Sequence, residues 1–182
     1  MSSIGAYLTR RLGAFKRDER GVSAVEFAII APFMILLYLG SVDLSLALSI
    51  DRKITSSASA IADLVAQDDE VTDSEMSDIL SAGAAIMTPF NAAPLQLRVS
   101  SVYMDSDGDV EILWSDARGT TPYSRGQAFS PPSGLLTPNK SVVMVEVSYE
   151  YRTLFSQLGA SQFDISEVFY LRPRRSLTVA RS

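Results

Sequence analysis

An uncharged apolar run near the start of the chain limits the possible folds more than any other feature. Residues 27–42 read FAIIAPFMILLYLGSV and carry no charge. As a helix they would rise about 24 Å, and the apolar residues on either side bring the run to the roughly 20 residues that span a bilayer. Glu26 and Asp43 would then lie near the two interfaces, where a carboxylate costs less than at the centre. We therefore predict one membrane span over about residues 27–47, with Pro32 inside it.

Charge is distributed unevenly around this run. Residues 1–20 contain five basic and two acidic residues, a net of +3, whereas residues 51–182 contain 11 basic and 17 acidic residues, a net of −6. A basic head before a single apolar helix is typical of a protein that crosses the membrane once with its N-terminus inside. Two alternatives remain: a buried core helix of a soluble domain, and a secretory signal peptide cut after Ala47-Leu48-Ser49.

The apolar pattern continues beyond the predicted span, which argues against a signal peptide. Apolar or small residues recur at spacings of three and four, as on one face of a helix. They are Ala47, Ile50, Ile54, Ser57, Ile61 and Leu64. The pattern predicts one long helix, beginning at about residue 23 and ending at 67, and so a helical region over residues 22–67. A helix that leaves the membrane needs a partner for this stripe, and side-by-side packing with copies of itself would provide one.

The remaining residues, 68–182, have the pattern of a small α+β domain. Thr72 and Glu75 have the spacing of a capping box, which predicts a short helix that ends before Pro89. Alternating apolar residues then predict an antiparallel sheet of four or five strands, with a bulge at Ser100-Ser101. The strand signals lie at residues 95–104, 110–114, 143–151 and 165–171, and residues 177–179 would form a last edge. A Gly- and Pro-rich loop is predicted over residues 117–141.

Composition excludes several classes of function. The 182 residues include no His and no Cys, which rules out imidazole catalysis, thiol nucleophiles and disulfides. The net charge of −5 argues against a nucleic-acid partner. We expect neither an enzyme nor a cofactor, metal or small-molecule substrate. The acidic segment at residues 105–111 has carboxylates suited to Ca²⁺, but Asp107-Gly108 favours a hairpin turn instead.

The junction between the basic head and the apolar run carries the most specific signal. It reads Arg20-Gly21-Val22-Ser23-Ala24-Val25-Glu26-Phe27. This resembles the processing site of type IV prepilins, in which a membrane peptidase cuts after the Gly. The string is more similar to the TadE-like proteins of the Tad (Flp) pilus, whose pattern is close to D-x-x-G-x-x-A-V-E-F-A-x-x-x-P. The matching positions are Asp18, Gly21, Ala24, Val25, Glu26, Phe27, Ala28 and Pro32.

The resemblance implies a minor pilin or pseudopilin. Residues 1–21 would be a cytoplasmic leader that a prepilin peptidase removes by cutting between Gly21 and Val22. The new ammonium on Val22 could then be balanced by Glu26 of the same or a neighbouring chain. The helix would pack against other pilins or pseudopilins of the Tad secretion machinery. The predicted packing residues are Phe27, Pro32, Ala47, Ile50, Ile54, Ile61 and Leu64.

The same resemblance implies a location and leaves alternatives open. The chain would span the bacterial inner membrane once, with residues 68–182 in the periplasm or on an assembled pilus. The main alternative is a membrane-anchored periplasmic binding or regulatory domain that is never cut. A type II secretion pseudopilin is a third possibility, although the usual Phe after the Gly and the Thr-Leu-Ile-Glu string are missing. The basic run at residues 172–175 could bind acidic lipid or form a solvated turn.

Overall fold

A computed structural model describes residues 20–154, 156 and 162–182. The chain divides into two compact units, Met1–Leu44 and Ser45–Ser182. The predicted leader therefore lies outside the described residues, except for Arg20 and Gly21. Over the described residues the fold is the predicted one: a long apolar helix, a short helix and a four-stranded antiparallel sheet.

Helix α1, Arg20–Gln67, is 48 residues long and includes Pro32. Its predicted end at Gln67, just before Asp68-Asp69, is confirmed, but within the described residues the helix begins three residues earlier than predicted. Within the second unit, α1 buries one face completely. The buried residues of that face recur at helical spacing, as Ile50, Ile54, Ala58, Ile61 and Val65.

Helix α2, Asp73–Ala85, begins at the predicted capping box. The backbone N–H of Thr72 donates to Oε2 of Glu75 (2.8 Å), and the N–H of Glu75 donates to Oγ1 of Thr72 (3.3 Å). Both bonds satisfy amide groups that a helix N-terminus otherwise leaves without partners. The helix ends four residues before Pro89.

Gly83 lets α2 approach α1 closely. A Cβ on Gly83 would lie 2.4 Å from Cδ1 of Ile61 and 3.1 Å from Oγ of Ser57. The Ser57 hydroxyl is buried and donates to the carbonyl of Gly83 at 2.9 Å. The small residues in both helices thus bring the two backbones together and satisfy a buried hydroxyl with the neighbouring helix.

The sheet has the strand order β3-β2-β4-β5, and every pair is antiparallel. The strands are β2, Leu95–Met104; β3, Val110–Arg118; β4, Lys140–Arg152; and β5, Gln162–Leu171. The predicted bulge is confirmed, because the β2–β3 register shifts between Ser101 and Val102. The loop between β3 and β4 covers residues 119–139, two residues shorter at each end than predicted.

Each face of the sheet packs on its own apolar cluster. Alternate residues of β4, including Val143, Val145 and Val147, face α1 and α2 in the larger cluster. The smaller cluster lies on the other face, where Met144 contacts residues of β2, β3 and the loop at 119–139. β4 lies between β2 and β5, and this explains why its alternation is the clearest strand signal in the sequence.

The prediction of a last sheet edge at residues 177–179 is wrong. Two-residue strands form a separate parallel pair instead: β1, Glu70–Val71, and β6, Ala180–Arg181. Val179 is buried, and its carbonyl accepts a hydrogen bond from Nε1 of Trp114 at 2.7 Å. A buried indole N–H needs such a partner. This carbonyl is therefore occupied by a side chain and is not part of a ladder.

Candidate membrane and assembly helix

The first part of α1 exposes apolar side chains in every direction. Most large apolar residues from Val22 to Leu44 are between 55% and 72% exposed, and Leu39 and Val42 are half-buried. Removing one such side chain from water is worth about 1.5–3 kcal/mol, so the segment is strongly stabilised by lipid or by a protein partner. Gly21–Gln67 is long and apolar enough to cross a membrane, and no residue of its most apolar window is buried within the structure. Helix α1 therefore fits a membrane anchor.

Gly21 is the second residue of α1 as described, and the described residues leave open space around it. Among the described residues, a Cβ added at Gly21 or at Gly40 would meet no atom within 4 Å, apart from neighbouring residues and the helix backbone. Packing against the described part of the chain therefore requires neither glycine. Glycine loses more backbone freedom in a helix than alanine does, so Gly21 favours local unwinding at the predicted cleavage bond without a packing benefit.

Glu26 is the only charged residue between Gly21 and Val42, and it is exposed. No hydrogen bond or ion pair of Glu26 occurs within residues 20–154, 156 and 162–182. Val22 precedes it by four residues, so the two lie on the same face, about 6 Å apart along the helix axis. A positive charge placed on Val22 would thus be one turn from the carboxylate.

The predicted helix-packing residues separate into two groups. Phe27 and Pro32 are exposed, Leu64 is 42% exposed, and Ala47 is half-buried. In contrast, Ile50, Ile54 and Ile61 are fully buried in the core of their own chain. The assignment of these three isoleucines to an interface between copies is wrong, because the sheet and α2 already cover them.

The acidic segment at residues 105–111 forms a turn. One oxygen of Asp105, Oδ1, accepts the backbone N–H groups of Asp107 and Asp109, both at 2.9 Å, and Gly108 has a φ of 94°. This bonding supports the turn interpretation. Over the part of the chain that the structure describes, no three Asp or Glu side chains are grouped so that they could hold a metal ion.

The basic run at residues 172–175 contacts the chain itself. The backbone N–H of Arg174 donates to the carbonyl of Ala66 at 2.9 Å, and its side chain pairs with Asp63. Arg172 donates to the carbonyl of Leu135 at 3.3 Å. Two of the run's three arginines therefore attach the C-terminal segment to α1 and to the loop at 119–139.

Arg181 is a central residue that sequence reasoning missed. Its guanidinium forms two bonds to Asp116, at 2.9 and 3.0 Å, and one to Asp73 at 2.6 Å. Hydrogen bonds to Asp116, followed by those to Asp73, outweigh partial burial and raise the pKa of Arg181. The residue joins β6 to β3 and to the start of α2. No periodic pattern surrounds it, so nothing in the sequence indicates this role.

Comparison with known proteins supports the resemblance found at the head of the helix. A family model described as TadE-like protein matches residues 21–63. The match begins at Gly21, includes Glu26 and Pro32, and covers most of α1. It confirms the predicted resemblance over these residues. No curated protein and no solved structure matches the chain significantly.

Proposed function

Because residues 21–63 match the TadE-like family, we propose that this chain is a minor pilin associated with a Tad (Flp) pilus. One observation carries the proposal: the matched segment is a helix whose first half exposes apolar side chains on all sides around a lone Glu26. Such a surface suits lipid before assembly and neighbouring helices afterwards. The second unit, Ser45–Ser182, is larger than a bare assembly helix needs, which favours a minor rather than a major subunit.

The proposed orientation follows from charge. The basic head remains in the cytoplasm, α1 crosses the inner membrane, and residues 68–182 lie in the periplasm. The role is structural rather than catalytic, with the prepilin peptidase, other pilins and the Tad secretion machinery as partners.

We place the processing step at the bond between Gly21 and Val22. A peptidase binds its substrate in extended form, so the helix must unwind locally around this bond. Gly21 lowers the cost of unwinding and presents no side chain to obstruct the enzyme. Cleavage leaves an ammonium on Val22 and removes the basic leader.

Glu26 then acts as the charge partner in assembly. An unpaired carboxylate in a membrane helix costs about 3 kcal/mol at the centre and less toward the interface. Two opposite charges 4 Å apart attract by about 4 kcal/mol at an effective dielectric constant of 20. A neighbour whose Val22 ammonium meets Glu26 therefore offsets the cost of both charges and favours one axial register.

The second candidate is an anchor that is never cut. The helical conformation of Arg20–Gln67 favours it, because the Gly21–Val22 bond lies in the first turn of the described helix and helical backbone resists proteolysis. The first candidate predicts that the leader is removed and the second that it is retained, whereas both predict that α1 spans the membrane.

Matched glycine variants test the processing step. The full-length chain is produced in cells with a Tad prepilin peptidase, and the products are separated by intact-mass spectrometry. Gly21→Leu should remain at full length, whereas Gly40→Leu should be cut like the native chain, since both positions have open space. Equal cutting of both variants would contradict the proposed site.

A charge variant tests assembly separately. Glu26→Gln retains the shape of the side chain and removes its charge, so the leader should still be cut. We expect less of this variant in sheared pilus fractions, with Glu26→Asp closer to the native level. Native recovery of Glu26→Gln in the pilus fraction would rule out the proposed charge pairing.

A further inference from the structure

The two edges of the four-stranded sheet differ in whether other segments of the chain cover them. On β3, the loop at 119–139 covers the outer edge: the N–H of Ile112 donates to Gln127 O (3.0 Å), and the N–H of Phe129 donates to Val110 O (3.0 Å). The N–H of Gly126 also donates to Ile112 O (2.8 Å). Further along β3, Asp116 is held by Arg181. The start of this edge, from Val110 to Ile112, is therefore not available to another strand.

The other edge, along β5, is open. All ten residues of Gln162–Leu171 pair with β4 in continuous register, from Gln162 opposite Arg152 to Leu171 opposite Val143. Within the described residues, no backbone group of β5 bonds to anything on its outer side. An antiparallel edge strand of this length directs about five N–H and five C=O groups outward. These groups form a template for one more strand.

β5 lacks most of the features that protect exposed edges. Natural edge strands are usually short, bulged, interrupted by Pro, or lined with Lys. β5 contains no Pro, Gly, Lys or Arg, and its register has no shift. Two apolar side chains of this strand are nearly half exposed, Phe163 at 47% and Val168 at 43%. An edge of this kind favours pairing with another chain.

One side chain restricts which strand can pair. Glu167 lies directly opposite Val147, on the face that packs against α1 and α2, and its neighbours on that face are Ile165 and Phe169. It is half-buried, and the described residues supply it with no hydrogen bond or ion pair. A carboxylate between apolar neighbours disfavours an apolar strand next to it and favours one that brings a cation.

We infer that β5 is a docking edge for an extended strand of a partner protein, with Lys or Arg placed beside Glu167. The added strand would be the fifth of the sheet, held by backbone hydrogen bonds and selected by charge. A second copy of this chain fits less well, because Asp164 and Glu167 are the only charges on β5, so a second β5 would bring no cation to Glu167. The inference concerns the second unit and does not depend on cleavage or on the pilin role.

A pair of peptides tests the inference with the full-length chain in detergent micelles. The first is a capped ten-residue peptide of alternating Val and Thr, with Lys in place of a central Val. The second has Glu at that position. Fluorescence anisotropy measures their affinities, and hydrogen exchange with mass spectrometry reports on residues 162–171. We expect the Lys peptide to bind at least ten-fold more tightly and to slow exchange in β5.

Charge-swap variants supply the controls. Glu167→Lys should reverse the preference, so that the Glu peptide binds more tightly. Asp164→Lys lies on the opposite face of the same strand and should leave the order of the two peptides unchanged. Failure of both peptides to slow exchange in β5, or equal affinities, would overturn the inference. A dimer of the chain alone with protected β5 amides would also overturn it, because the occupant would then be a second copy.

Discussion

The contact between Gly83 and Ile61 gives the sharpest prediction about stability. In Gly83→Ala, the new methyl group would lie 2.4 Å from Cδ1 and 2.9 Å from Cγ1 of Ile61. Ile61 is completely buried, so any movement of its side chain must be made against the packed core. Either α2 must move away from α1 or Ile61 must leave its preferred rotamer.

Two opposing effects set the change in the free energy of unfolding of Gly83→Ala. Overpacking of a buried site costs about 1–3 kcal/mol, whereas replacing Gly with Ala inside a helix contributes about 1 kcal/mol in the other direction. We expect the cost to exceed the gain, because two carbon atoms of Ile61 lie within 3 Å of the new methyl group. The expected net loss is up to about 2 kcal/mol, and for a chain of this size each kcal/mol lowers Tm by about 2–4 °C.

A double-mutant cycle isolates the contact. Ile61→Val deletes Cδ1 and by itself should cost about 0.5–1.5 kcal/mol. In the double variant, the space left by Cδ1 accommodates part of the new methyl group. The double variant should therefore lose about 1 kcal/mol less stability than the sum of the two single losses. Thermal unfolding in micelles, followed by circular dichroism, measures all four proteins. A stabilised Gly83→Ala variant, or strict additivity, would refute the reasoning.

Two further predictions concern turns and pH. Gly119→Ala should lower Tm more than Gly108→Ala. Both glycines have positive φ, 75° at Gly119 and 94° at Gly108. Only at Gly119 would a Cβ also meet backbone, at 2.6 Å from the carbonyl oxygen of Leu95. Equal losses would contradict this. The pKa of Glu75 is lowered by hydrogen bonds from the backbone and then the hydroxyl of Thr72. Its contribution to stability is therefore present above its ordinary pKa of 4.5 and is lost as pH falls through the lower folded value. Unfolding measured against pH should thus show a shallower acid decline for Glu75→Gln, and an unchanged decline would contradict the assignment.

Local patterns in the sequence identified most of the fold. The capping box, the bulge in β2 and the alternation of β4 depend on residues close together in the chain. Each is governed by propensity and spacing, and each was found where predicted. The end of α1 before Asp68-Asp69 belongs to the same class.

The features that were missed depend on contacts between distant residues. The spacing of Ile50, Ile54 and Ile61 shows that one helix face is covered, but spacing is the same whether a sheet or a second subunit covers it. The pair formed by β1 and β6 is two residues long, too short for any periodic signal. Its placement depends on the Trp114–Val179 hydrogen bond and on Arg181, whose carboxylate partners lie at least 65 positions away.

The predicted assembly site could be recognised in the sequence for a different reason. Gly21, Glu26 and Pro32 stand out because each is unfavourable or unusual where it occurs: a glycine in a helix, a charge in an apolar run, a proline inside a span. Nothing within the described residues compensates for them. Such exceptions to local rules are expected at functional positions.

The N-terminal residue of the protein recovered from its native membrane tests the central proposal most directly. Intact-mass spectrometry with N-terminal sequencing should find a chain that begins at Val22 and retains 161 of the 182 residues. A chain that begins at Met1 or Ser2 would show that the leader is retained and would contradict pilin-type maturation. A start near Ile50 would instead identify residues 1–49 as a secretory signal and remove the assembly helix from the mature protein.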